Sequence, residues 1–159
     1  MAGEPELTHL DDEGRMHMVE VGAKEVTDRE AVAEGHVAMD RALADRFFSG
    51  DLPKGDAAAA ARLAGIMAAK RTSELIPLCH PITLTGLDVT LEPSGRGIRV
   101  VASVRATDRT GVEMEAMTAV AVAALTIYDM VKGLERGVTI ETVRLVKKTG
   151  GKSGKWERG

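Results

Sequence analysis

"TGVEMEAMTAVAVAALTIYDMVKGLERG", residues 110–137, decides how the rest of the chain is arranged. Its length and composition predict a long helix. Thr110 and Glu113 have the T-x-x-E spacing of a capping box, and Gly137 can close the far end. From Ala116 to Tyr128 the helix is apolar almost all the way round. A helix lying on a sheet needs only one apolar stripe. One face can therefore cover a sheet, and a second surface must cover the other. That surface is either a subunit interface, which we expect, or the helices that precede it in the chain.

The segments around this helix supply the sheet. "ITLTGLDVTLEP" (82–93) and "GIRVVASVRATD" (97–108) alternate apolar and polar residues with a turn between them, which predicts an antiparallel hairpin. "MHMVEVGAK" (16–24) and "AVAEGHVAM" (31–39) alternate similarly, and "VTIETVRLVKK" (138–148) predicts a last strand. "DRALADRFFSG" (40–50) is a short amphipathic helix ending at Gly50. "DAAAAARLAGIMAAKR" (56–71) is a second, with Asp56 as N-cap. The expected architecture is α+β, a mainly antiparallel sheet with helices packed on one face. Helix–strand–strand–helix–strand is also the rhythm of a ferredoxin-like unit.

Composition bounds the class. The 159 residues suit one domain, residues 1–159, with 1–15 and 150–159 loosely held. Aromatics are only 3%, so the core must be built from Ala, Val, Leu, Ile and Met. A single cysteine excludes an internal disulfide and fits a reducing compartment such as the cytoplasm. The acidic N-terminus has no apolar stretch resembling a signal peptide. The 13-residue uncharged run 116–128 is too short to span a bilayer, so no membrane role is expected. The net charge is −3, but residues 144–159 carry six Lys/Arg against one acid. A basic tail on an acidic body suits an anionic partner, or is simply a solvated chain end. Nucleic acid fits poorly, because no aromatic ladder accompanies the basic residues.

Four places could carry chemistry. In "ELIPLCHPI" (74–82), Cys79 and His80 stand between two prolines that stiffen the backbone. Cys79, His80, His9, His17 and His36 lack metal-ligand spacing, so no metal is expected. Cys79 has no sequence partner to activate it; it is a small buried hydrophobe or part of a rigid binding loop. "KKTGGKSGK" (147–155) fails as a P-loop because Val146 stands where glycine is required, yet its glycines and lysines can still present an anion site. Lys54 precedes a helix N-terminus, either as ordinary turn chemistry or as an anion ligand. Asp129 interrupts the apolar helix with Lys132 three positions on, either as a surface ion pair or as a general acid–base pair. Glu115 and Asp129 lie about 21 Å apart along a straight helix, with an angular offset of about 40°. One compact group cannot touch both; an extended ligand or two copies of the helix would be needed.

Four strings together carry a resemblance: "LTHLDDEGRMHMVEV", "KGDAAAAARLAGIMAAKRTSELIPLCHP", "TGVEMEAMTAVAVAALTIYDMVK" and "VRLVKKTGGKSG". In this order and spacing they resemble the cyclic pyranopterin monophosphate synthase family, over residues 7–155. The resemblance implies a lyase of molybdenum cofactor (molybdopterin) biosynthesis. Its substrate would be the GTP-derived 3′,8-cyclo-7,8-dihydroguanosine 5′-triphosphate, converted to cyclic pyranopterin monophosphate with release of pyrophosphate. It implies a ferredoxin-like, cytoplasmic homohexamer, a trimer of dimers with sites between subunits. Asp129, Lys132 and Lys54 would be catalytic. Leu78, Cys79, His80, Met114 and Glu115 would contact substrate, with Arg29, Lys70, Glu113 and Lys148 at further matching positions. No cofactor is implied; magnesium could accompany the triphosphate, without support from the sequence. A non-enzymatic nucleotide-binding module would explain the basic tail but not the Asp129/Lys132 pair. A plain GTP hydrolase is disfavoured by the failed P-loop.

Overall fold

The computed structural model describes residues 9–159. Strand β1 (Thr27–Ala38) leads through helices α1 (Arg41–Ser49), α2 (Ala57–Ala69) and the single turn α3 (Thr72–Leu75) to the hairpin β2 (Leu84–Ser94) and β3 (Gly97–Asp108). Helix α4 (Glu113–Val131), β4 (Thr139–Thr149) and a two-residue β5 (Trp156–Glu157) complete the chain. The sheet runs β2-β3-β1-β4-β5, and every neighbouring pair is antiparallel. α4 lies on β1, β3 and β4, with α2 beside it and over β2, so the helices cover one face.

Alternation explains which face they cover. Ile98, Val100, Ala102, Val104 and Ala106 of β3 are buried, as are Ala31, Ala33 and Val37 of β1. The facing side of α4 buries Ala116, Ala119, Val120, Ala123, Ala124 and Ile127. Small residues let the layers approach closely. A Cβ at Gly35 would lie 2.6 Å from Val120 Cγ1 and 2.9 Å from the Thr142 carbonyl. At Gly65 of α2 a Cβ would lie 3.0 Å from the Ala119 carbonyl, so the helix pair also meets at a glycine. Phe47 of α1 is the largest fully buried side chain and plugs one corner. The opposite sheet face is polar. Glu34 sits there between Arg99 (2.7 Å) and Arg144 (2.6 Å). Burial pushes its carboxyl up, but the two guanidiniums more than offset this and hold it low.

The hairpin, the Asp56 cap and the Gly50 stop form as the sequence predicts; Asp56 Oδ1 accepts from the Ala59 amide at 2.9 Å. Four expectations are corrected. Residues 16–24 are not a strand: Met16 makes one isolated bridge to Leu10, and the segment ends in a turn at Val21–Lys24. Both edges of β1 are taken by β3 and β4, so this stretch has no central partner to pair with. The Thr110–Glu113 capping box does not form. Val112 occupies the N-cap without a side-chain bond, because the Glu113 carboxylate is bound by Lys148 instead. Helix α4 stops at a Lys132 cap rather than running to Gly137, and turns follow. The chain after residue 148 also contributes β5, paired with β4 through Lys147 and Lys148. The expectation for residues 1–8 lies outside the described residues. At 19 residues α4 is long and apolar enough to cross a bilayer, yet half of that stretch is buried against the rest of the chain.

Replacing Gly35 by valine should overpack the α4–β1 contact, because the new side chain meets a backbone carbonyl that cannot yield. We expect a loss of about 2–3 kcal/mol, seen as a lower denaturant midpoint and a melting temperature depressed by several degrees. An unchanged midpoint would show that the layers do not meet as described.

Candidate active site

Helix α4 carries charged groups at both ends and none between Glu115 and Asp129. Its N-terminal end opens into two adjoining cavities. The smaller, about 390 Å³, is lined by Leu78, Cys79, His80, Ile82, Met114 and Glu115, among others. The tight turn closed by the Cys79 amide on the Ile76 carbonyl (3.1 Å) presents the loop. His80 Nε2 donates to the Val19 carbonyl at 2.7 Å, tying the irregular 16–24 segment across the cavity. In that tautomer Nδ1 is left as an acceptor.

Glu115 is only 4% exposed. Burial, with smaller contributions from the Glu113 and Asp108 charges, pushes its pKa up to about 7. It can thus hold or release a proton near neutrality. Burial, and then the Glu115 charge, push the Cys79 thiol up as well. Cys79 therefore stays protonated and is a poor nucleophile.

The larger cavity, about 840 Å³, is basic. Lys24, Arg29, Arg109, Lys148 and Lys152 line it, against the carboxylates of Glu25 and Glu113. Arg29 donates to the Asp108 and Arg109 carbonyls, both at 3.2 Å, and so fixes the start of the β3–α4 loop. Gly150 and Gly151 have φ of +96° and +70°, and a Cβ on Gly151 would fall on the Arg29 guanidinium. These glycines let the tail fold over Arg29.

The C-terminal end of α4 holds a separate triad. Lys132 Nζ lies 2.8 Å from Asp129 Oδ1, and Lys54 Nζ lies 3.2 Å from Oδ2. Lys54 also donates to the Asp129 carbonyl at 2.7 Å, at the negative end of the helix dipole. The Lys132 and then the Lys54 ammonium hold Asp129 below the usual carboxylate range, and Asp129 holds Lys132 above its own. All three side chains are about half exposed. These contacts favour the ionised Asp129 carboxylate, so the triad is a clamp more than a poised proton carrier.

The sequence-predicted residues thus fall into two groups. Leu78, Cys79, His80, Glu113, Met114 and Glu115 converge, with Arg29 and Lys148 next to them. Lys54, Asp129 and Lys132 converge elsewhere, about 24 Å from Glu113 along the helix. Lys70, the exposed C-cap of α2, lines neither cavity. Lys24 and Arg109 were not anticipated: each is a lone cation in a loop, without motif spacing. Lys152 carried a weak signal, lying in the glycine–lysine run 147–155. Among the described residues no cluster of three or more His, Cys, Asp or Glu is placed to hold a metal ion.

A cavity of mixed apolar and ionisable walls opening into a basic one suits an anionic small molecule. The chain belongs to the MoaC family, whose model matches residues 18–151. It is 54% identical to the cyclic pyranopterin monophosphate synthase of Chloroflexus aggregans over 155 residues, covering 96% of this chain and 94% of that protein. It is 58% identical to the enzyme of that name from Pelotomaculum thermopropionicum over 154 residues, covering 96% and 91%. It is 53% identical to cyclic pyranopterin monophosphate synthase 2 of Mycobacterium tuberculosis over 153 residues, covering 96% and 92%.

The raised pKa of Glu115 makes stability depend on pH. Between about 4.5 and about 7 the folded chain keeps a proton that the unfolded chain has released, so stability falls as pH rises through that window. Glu115→Gln should match the parent chain at pH 4 and exceed it above pH 7.5 by up to ~3 kcal/mol. Urea midpoints at the two pH values test this; an equal difference at both would contradict the assigned shift.

Proposed function

We propose that the chain converts 3′,8-cyclo-7,8-dihydroguanosine 5′-triphosphate into cyclic pyranopterin monophosphate and pyrophosphate, as an enzyme of molybdenum cofactor biosynthesis. The observation that carries this reading is spatial. Every residue the resemblance implicates, Lys70 apart, falls at one of the two ends of α4, in a cavity or in the Lys54–Asp129–Lys132 triad.

The chemistry makes matching demands. A triphosphate must be held, protons must move on ring nitrogens and ribose oxygens, and a ribose hydroxyl must attack the α-phosphorus as pyrophosphate leaves. Cations stabilise the charge that develops on the leaving group. Phosphate oxygens compete with Asp129 for Lys54 and Lys132, and as the lysines turn to them the carboxylate returns toward its ordinary range and can accept a proton. Glu115, already near neutrality, is the other candidate for proton exchange. The nucleophile is internal, so the protonated Cys79 serves as cavity wall. No electrons are gained or lost, so no redox cofactor is required; any magnesium travels with the triphosphate.

The reading includes assembly. The two charged ends of one α4 are too far apart to serve one substrate from a single chain, and a second copy running past the first would bring them together. Leu63 and Met67 of α2 and Leu125 of α4 are 45–58% exposed and supply an apolar face for such a contact. We take the assembly to be a cytoplasmic homohexamer, a trimer of dimers with active sites between subunits. The sheet order β2-β3-β1-β4, with its two helical crossovers, supports a ferredoxin-like assignment of the one domain.

Asp129→Ala and Lys54→Ala should fold and assemble like the parent, judged by size-exclusion and melting, yet release little pyrophosphate from the cyclised intermediate. Parent-like product formation would remove them from the chemistry; GTP turnover to GDP by the parent would favour a hydrolase. Mixing Asp129→Ala with His80→Ala under subunit exchange should restore roughly a quarter of parental activity, since that share of shared sites receives both intact halves. No recovery despite verified exchange would place the site within one chain.

A further inference from the structure

We propose that Arg158 is a positioning residue: it clasps a bulge in β4 and so decides that Lys148, rather than its neighbour Lys147, faces Glu113 and the basic cavity. The use of Lys148 in turnover rests on the proposed function; the clasp itself does not.

The register of β4 on β1 shows what has to be held. Ala33 lies opposite Leu145, but the next pair is Val32 with Lys147, so Val146 is an extra residue in β4. Ala31 and Ala33 are both buried beneath the helices, so their partners, Lys148 and Leu145, project to that side too. Leu145 packs against the core, and Lys148 reaches Glu113 at the start of α4. In an unbroken strand, residues three apart take opposite faces. Leu145 and Lys148 share a face only because Val146 bulges. Unbroken pairing would set Val146 against Val32, Lys147 against Ala31 and Lys148 against Glu30, on the polar face away from α4. It would also carry Thr149 toward the place now held by Gly150, whose φ of +96° disfavours a β-branched residue.

The bulge is gripped from its other edge. The Arg158 amide donates to the Val146 carbonyl and Arg158 Nε donates to the Leu145 carbonyl, both at 2.8 Å. Successive carbonyls of a regular strand turn to opposite edges. Here two in succession are taken by one residue, which matches the bulged backbone and not the straight one. β5 brings Arg158 to this point by pairing Trp156 with Lys148 and Glu157 with Lys147. The Arg158 guanidinium lies 5.5 Å from the centre of the Trp156 ring, which steadies the side chain. Without the guanidinium the Leu145 carbonyl loses this donor, and the bulged register loses the contact that favours it over the slipped one.

The test uses the full-length chain with two readouts: pyrophosphate release from the cyclised GTP intermediate, and amide hydrogen exchange. Arg158→Ala should lower kcat/KM about tenfold or more, because Lys148 is misplaced, while the melting temperature stays within a few degrees of the parent. Exchange across residues 146–149 should quicken about tenfold, with the β2–β3 hairpin unchanged. Arg158→Lys, which keeps one donor, should recover part of both. Deleting Val146 from Arg158→Ala removes the residue that the bulge absorbs. Straight pairing then sets Lys148 against Ala31 without a clasp, and turnover should recover; a merely structural loss would not be repaired by a further deletion. Glu157→Ala, which removes only the exposed pair with Lys155 at 2.9 Å, should change neither readout. Parental kcat/KM and exchange in Arg158→Ala would overturn the inference, as would lost turnover with exchange at 146–149 unchanged. If exchange responds as expected but the parent releases no pyrophosphate, the clasp stands and the proposed function fails.

Discussion

The closeness of α4 to β1 is the constraint on which the rest depends. Gly35 faces Val120 with no room for a side chain, and alanines fill most of the remaining contact. That contact fixes where α4 lies over the sheet. The positions of Glu113–Glu115 at one end and Asp129 at the other follow from the helix rise. The same economy recurs between α2 and α4 at Gly65, which sets the distance from α2's start, and so from Lys54, to Asp129. A low-aromatic core is consistent with this: small aliphatic side chains, mostly Ala and Val, let layers meet closely but must be fitted well to leave no voids.

The two ends of α4 are electrostatically unlike. At the N-terminal end a buried carboxyl is raised toward neutrality by desolvation, next to a thiol raised for the same reason. At the C-terminal end an exposed carboxyl is lowered by two ammonium groups. Two acids on one helix thus have opposite proton affinities, a difference that comes from their surroundings alone. Separation along the helix keeps each from neutralising the other's shift.

Much of the fold was legible because its signals are local. Alternation marked β2 and β3, the Asp56 and Gly50 caps marked helix ends, and unbroken apolarity marked α4. The misreadings share a cause. Residues 16–24 alternate like a strand, but β1 is flanked by β3 and β4, and the segment is held instead by His80 at the Val19 carbonyl. Thr110 and Glu113 have capping-box spacing, but Lys148, 35 residues downstream, competes for the same carboxylate. Of the site, the stiff Pro77–Pro81 loop and the Asp129 interruption stood out. Lys24 and Arg109 did not, because nothing in a lone loop cation foretells its neighbours.

The order of residues by itself determined the α+β class, the long central helix with charged residues at its two ends, and the family to which the chain belongs. These depend on periodicity, capping and motif order, all written within a few turns or strands. Only the tertiary structure decided that Glu115 is buried and Asp129 is not, that Glu113 serves Lys148 rather than its own helix, and that three unrelated loops pool their cations in one cavity. Desolvation and Coulomb interactions act through space, between groups up to about 130 positions apart in the chain, and no local pattern encodes them.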